Sequence, residues 1–212
     1  MFINDRDLLA HEPNLFRDVA WVGQRLTGGT SSVSGTTLTC VTPEIALNQT
    51  PIGPGSVAVV GGAGYEVLGV TSATQMTISR LRVREEDAAI IPAQGTGLTM
   101  SVVSFKPQIA IVHAQVLRLA GIEPDTPAGA AAESQIANTS ALRLVEALGS
   151  LALIFAAASL AGGEASPLRE RAKDYAKRYA QERGRVCVEM DTDADGVTDT
   201  IRSLNVFRLV RG

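Results

Sequence analysis

Apolar and polar positions change period twice along this chain. Residues 1–16 read as a short helical entry. Asn4 is placed to cap it, Asp5 and Asp7 suit the positive end of a helix dipole, and Pro13 interrupts it. From Arg17 to Phe105, short apolar runs sit between clusters of Gly, Ser, Thr, Asn and Pro, a pattern of short strands and turns. Strands are expected at VAWVG (19–23), TTLTC (36–40), SVAVV (56–60), YEVLGV (65–70), MTISRL (76–81) and LTMSVV (98–103). GGAG (61–64) and TSATQ (71–75) read as hairpin connections. Short strands at this spacing suggest a small barrel or sandwich.

From Pro107 the period becomes helical. Ile109, Val112, Val116 and Leu119 share one face, Pro107 suits a first turn and Gly121 a stop. Residues 123–133 form a linker with two prolines, and a second helix is expected over 136–160, ended by Gly162 and Gly163. A third begins after Ser166 and Pro167. It carries Leu168, Ala172, Tyr175, Ala176 and Tyr179 on one face and charges on the other, and it stops at Gly184. The tail then reads as strand, acidic turn, strand. The expected class is α+β: a β-rich small barrel or sandwich over 17–105, joined to a helical bundle over 106–184, with a C-terminal β-hairpin or arm over 185–212.

Composition narrows the function. With 45% hydrophobic residues among 212, the chain has material for a core, and 19 basic against 22 acidic residues give a net charge of −3. That charge supplies no field for nucleic acid, and an aromatic content of 4% disfavours stacking platforms for single strands. Two His and two Cys leave little for zinc or thiol chemistry, so the balance leans away from an enzyme. Cys40 and Cys187 each sit in an alternating apolar stretch and read as buried free thiols, although spacing leaves a disulfide open. The opening residues lack a signal-peptide pattern. The uncharged run 147–163 is shorter than the roughly 20 residues a bilayer needs, so it reads as a helix buried in a bundle or oligomer, with no membrane partner.

The sharpest local chemistry is DTDADGVTD (191–199). Asp191, Asp193 and Asp195 alternate, Gly196 follows and Asp199 closes the run. Alternating carboxylates curl round a hard cation, and the glycine permits the sharp turn, as at the start of a calcium loop. Position 202, where such a loop places a Glu, is Arg, and strands rather than helices flank the segment. The plain alternative is a tight Asp/Gly hairpin turn with solvated carboxylates. Elsewhere, GGAGYEVLG fails the dinucleotide register, because its third position is Val67 and no helix follows. His113 reads as a packed or hydrogen-bonded histidine. Arg80, Arg82 and Arg84 followed by Glu85, Glu86 and Asp87 read as a solvated loop. On the third helix Arg169, Arg171, Lys173, Lys177 and Arg178 form either an ordinary solvated face or an electrostatic contact surface. In a ring, one copy's basic helix would meet the next copy's acidic turn.

The order of these features resembles the head–tail connector (adaptor, or neck) proteins of tailed bacteriophages. The likeness lies in the opening FINDRDLLAHEPNLF, then SFKPQIAIVHAQVLRLAGI, an Ala-rich helix, LRERAKDYAKRYAQERG, the acidic turn and the ending VFRLVRG. Residues 107–212 carry most of it, and the β segment looks like an elaboration that many small connectors lack. The resemblance implies a non-enzymatic virion protein, made in the host cytoplasm and residing in the phage neck. Such proteins form a ring, commonly twelve-fold, docked on the portal protein. They extend the DNA channel without sequence-specific binding and offer a platform to the next neck or tail protein. The second function class is a non-enzymatic calcium-binding module centred on Asp191–Asp199. The region from about Arg185 to Gly212 is expected to reach a partner, with Arg202, Arg208 and Arg211 supplying a salt-sensitive contact. The alternative is that its hairpin folds back on its own helices.

Overall fold

The computed structural model describes residues 1–122, 131–161 and 166–204, and the chain divides into two compact units. One is Ile3–Pro107. The other comprises Met1–Phe2 with Gln108–Gly212. The helical entry thus belongs to the same unit as the β segment, and the C-terminal hairpin to the same unit as the helices.

The first unit is a closed antiparallel barrel of six strands: β1 (Gln24–Ser34), β2 (Thr37–Cys40), β3 (Val57–Val60), β4 (Ala63–Val70), β5 (Gln75–Ser79) and β6 (Gly95–Ser104). They run in the order β1-β2-β5-β4-β3-β6. The expected α+β class holds, with a barrel rather than a sandwich. Alternation fills the interior: on β5, Met76 and Ile78 are fully buried while Thr77 between them is only half-buried. Leu38, Val60, Val67 and Val102 meet them in one core. The GGAG connection is a two-residue turn, because Val60 pairs with Ala63 and Gly61 and Gly62 have φ of 56° and 85°. Positive φ at both central positions is what a twist-matched hairpin requires.

One strand expectation is corrected, and one strand lies where none was expected. VAWVG is not a strand: α1 (Asp5–His11) and α2 (Leu15–Asp18) are followed by a 3₁₀ turn at Ala20–Val22, and Val19 is buried while Trp21 is exposed. The longest strand, β1, lies just beyond, in QRLTGGTSSVS. Its inner face includes Thr27 and Ser31, so it lacks an apolar rhythm. Their hydroxyls are satisfied by the carbonyls of Ile45 at 2.8 Å and Leu98 at 3.2 Å. Gly29 in this strand approaches its neighbours closely, since a Cβ there would sit 2.5 Å from the Thr42 carbonyl oxygen.

Asn4 caps α1 as expected. Its side chain accepts from the Asp7 amide, and the Asp7 carboxylate accepts from the Asn4 amide at 2.9 Å. Asp5 does more than face the helix dipole. It is fully buried, and its carboxylate accepts from the Phe105 amide at 2.8 Å and the Ser104 hydroxyl at 2.7 Å, tying α1 to the end of β6.

The second unit holds most of α3 (Lys106–Leu119), then α4 (Thr139–Ala161), α5 (Pro167–Arg183) and an antiparallel pair, β7 (Cys187–Met190) and β8 (Thr200–Ser203). Gly121, with φ of 73°, ends α3, and Ser166 caps α5 ahead of Pro167. By length and composition α4 passes for a membrane-crossing helix, with mean hydropathy 1.8, yet 61% of that window is buried within the chain. Leu142, Val145, Leu151, Ile154 and Phe155 point inward. At Gly149 a Cβ would lie 2.7 Å from Val112 of α3 and 3.0 Å from the Tyr179 ring of α5, so the absence of a side chain lets three helices converge.

Candidate cation loop and assembly surfaces

β7 is held on both edges. β8 pairs with it from Cys187↔Ser203 to Met190↔Thr200. On the other side the Ala137 amide donates to the Glu189 carbonyl at 2.9 Å, and the Asn138 side chain bonds the backbone of Cys187 and Glu189. Alternation turns Val188 and Met190 into a core with Val112, Val116, Leu142 and Val145, and all of these are buried. The hairpin strands therefore fold back on their own helices, the alternative the sequence left open, while residues 205–212 lie outside the described residues. The same alternation leaves Cys187 exposed, so only Cys40 is the buried thiol expected; both are free.

The acidic run sits at the tip of this hairpin. Gly196, with φ of 87°, and Ala194, with φ of 61°, make the sharp turns. The Gly196 amide donates to Asp191 Oδ2 at 2.9 Å, and the Val197 amide to Asp195 Oδ1 at 2.7 Å. This folding brings one carboxylate oxygen from each of Asp191, Asp193 and Asp195 within 4.8 Å of one another. Asp191 Oδ1 is buried and has no hydrogen-bond partner among the described residues. Asp199 stands apart from that trio: its Oδ2 accepts from the Thr192 hydroxyl and, at 2.7 Å, from the Thr192 amide. Those bonds, the hydroxyl first, hold its carboxyl below the ordinary range. Three carboxylates facing one point suit a hard divalent cation with water completing the shell.

The basic positions divide. Arg169, Arg171, Lys173, Lys177 and Arg178 all project from the exposed face of α5. Lys173 pairs with Glu170 at 2.7 Å, Arg171 lies over the Phe155 ring at 5.6 Å, and Arg178 over Tyr175 at 5.2 Å. Arg202 is used within its own unit: its Nη1 donates to the Ala120 carbonyl at 2.8 Å and reaches that of Gly121 at 3.3 Å, capping the end of α3. Arg208 and Arg211 lie outside the described residues, as does most of the linker at 123–133.

Two buried polar clusters escaped the sequence. Glu66 of β4 is fully buried and accepts from Arg6 Nε at 2.5 Å and Arg82 Nε at 2.6 Å. Arg82 is therefore not part of a solvated loop. The visible signal was a lone Glu in the apolar YEVLGV strand. In the helical unit, His113 lies beside Glu133 and Glu146, which no sequence spacing relates. Comparison with protein families, curated proteins and solved structures finds no match to this chain.

Proposed function

We propose that the chain is a structural, non-catalytic subunit of a ring, acting as a head–tail connector in the neck of a tailed bacteriophage. The observation that carries this reading is the outer surface of the helix–hairpin unit. Ile111, Leu119, Leu144, Leu160, Val197 and Ile201 are large apolar residues left exposed there, and the same unit exposes the five cations of α5. Apolar and charged groups so exposed suit contact with further chains. In this reading the three long helices form a bundle joined to the barrel. Copies stand side by side round the DNA channel, commonly twelve of them, with the portal protein on one side and the next neck or tail protein on the other. The order of elements from α3 to the hairpin supports the likeness to connectors.

Native mass spectrometry of the full chain, alone and mixed with the portal protein of the same phage, tests it. A closed oligomer, or assembly on the portal, is expected. A monomer that ignores the portal overturns the reading.

A second reading is calcium binding at Asp191, Asp193 and Asp195. It is favoured by the unpartnered buried oxygen of Asp191 and the convergence of the three carboxylates. It is compatible with the first, because a cation would stiffen the hairpin tip.

A further inference from the structure

Both nitrogens of the buried His113 imidazole face carboxylate oxygens. Nε2 lies 3.2 Å from Glu133 Oε1, and Nδ1 lies 3.4 Å from Glu146 Oε1. Glu146 is fully buried. An ionised carboxylate only accepts hydrogen bonds, and a neutral imidazole offers one N–H and one lone pair. Neutral His113 between two carboxylates would therefore set one nitrogen lone pair against an oxygen lone pair. The arrangement is satisfied only when it holds one more proton, either as imidazolium or as the carboxyl of Glu146. The gap is visible: His113 Nδ1 and Glu146 Oε1 are both buried, and among the described residues neither has a hydrogen-bond partner as the heavy atoms stand.

The same glutamate holds the start of the chain. The Phe2 amide donates to Glu146 Oε2 at 2.8 Å, and the Phe2 ring meets the His113 ring edge-on, with centroids 4.8 Å apart. Among the described residues, the Met1 amino group lies 3.5 Å from Glu133 Oε1, and Arg143 lines the adjoining groove with Met1, Phe2 and Glu133.

We propose that His113, Glu133 and Glu146 form a proton-gated clasp that keeps Phe2 docked on the helical unit while the cluster carries its extra proton and releases it when that proton leaves. Loss of the proton places a bare carboxylate oxygen against an imidazole lone pair in a buried site. Withdrawal of Phe2 then admits water to solvate Glu146. The surroundings of the two carboxyls act in the same sense. Burial, only partly offset by the Phe2 amide and His113, raises the Glu146 carboxyl, so its protonated form is favoured in the fold. Burial also acts to raise Glu133, but the hydrogen bond and charge of His113 outweigh it and hold that carboxyl low. Docking is thus strongest in mild acid and is lost as pH rises.

The test is an NMR titration of the full chain from about pH 5 to about pH 9, spanning the range into which burial moves a carboxyl. It follows the Phe2 amide, the His113 ring proton and the cross-relaxation between their rings. The expected result is one shared midpoint, with loss of the Phe2–His113 ring contact on its alkaline side. Glu146→Gln still accepts the Phe2 amide through its carbonyl and can donate to neutral His113, so Phe2 should stay docked across the range. If that variant does not fold, Glu133→Gln, at a partly exposed position, should move the shared midpoint to lower pH. Separate midpoints in the wild type, a ring contact that persists throughout, pH-dependent docking in Glu146→Gln, or an unmoved midpoint in Glu133→Gln each overturn the proposal.

Discussion

Arg6 Nε stands 2.5 Å from Glu66 Oε2, joining two residues that are 60 positions apart and almost wholly buried. Arg82 completes the arrangement: its amide and Nε donate to Glu66 Oε1 at 2.9 and 2.6 Å. One carboxylate thereby fastens α1 and the segment after β5 to strand β4. Charge alone does not make such a group stabilising, because desolvation of the ions opposes their attraction. What it fixes is position, since each donor needs the others in place.

Removal of the shared acceptor should be costly. Glu66→Ala leaves Arg6 Nε facing a buried cavity and removes the acceptor of the Arg82 amide and Nε, with Arg82 Nη1 still bonded to the Asp87 carbonyl. Breaking a buried pair from one side costs about 3–5 kcal/mol. Urea unfolding of the full chain should show a loss in that range for the barrel transition, and a loss below about 1 kcal/mol would mean that water replaces the carboxylate.

Asp5 gives a pH dependence whose sign is fixed. Burial raises its carboxyl above the ordinary value, and the bonds from Ser104 and Phe105 only partly counter this. A raised folded value favours the protonated form, so this contribution is full below the ordinary value of 3.8 and is lost as pH rises through the raised one. Wild type should therefore lose stability relative to Asp5→Asn between about pH 4 and about pH 7, as the linkage of protonation to folding requires. Paired urea titrations at the two pH values isolate the effect, and a difference that grows in the opposite sense would contradict the assignment. Asp5→Ala should be worse at both, costing about 1–3 kcal/mol for each donor left unpaired.

Helix and turn signals were local and therefore legible. Asn4 with Asp7, the Gly61–Gly62 turn, Pro167 after Ser166, and Gly121 each act within a few residues, and each sits where the sequence placed it. β1 was hidden because Thr27 and Ser31 face the barrel interior, where period-2 reasoning looks for apolar residues. The clusters at Glu66 and at His113 were hidden for a different reason. A buried charge is defined by partners brought from 60 or more positions away for Arg6, and from 33 positions for Glu146 against His113, and no spacing rule reaches that far. The Asp191–Asp195 trio was legible because its ligands are consecutive alternate residues, whereas the engagement of Asp199 by Thr192 depends on how the turn closes.

If the hairpin tip holds calcium, the affinity should be weak. Three carboxylates on an exposed turn resemble the sites that bind on the order of 10⁻⁴–10⁻³ M. Calorimetry should show saturable heat and a rise in melting temperature with calcium. Asp193→Asn with Asp195→Asn should abolish both, while Asp199→Asn should cost less, because its Oδ2 already serves Thr192. No heat at millimolar calcium would reduce the motif to a turn.

The hairpin decides between core and appendage. Val188, Met190 and Leu204 are essentially inaccessible and pack on Val112, Val116, Leu142 and Val145. Full burial of one such side chain contributes about 1.5–3 kcal/mol, so losing three removes roughly 5–9 kcal/mol. A whole protein is held by about 5–15 kcal/mol, which makes the loss comparable to the entire stability of the helical unit. Deleting residues 186–212 also removes Arg202 from the end of α3. The truncated chain should therefore lose the cooperative unfolding of its helical unit rather than merely fail to assemble. Met190→Ala is the milder probe, with an expected cost of about 2–5 kcal/mol. Ile201→Ser tests the opposite face: Ile201 is 67% exposed, so stability should stay within about 0.5 kcal/mol while any oligomer weakens. Circular dichroism melts beside sedimentation velocity separate these outcomes. A truncated chain that melts like the wild type would show that the hairpin is an appendage after all.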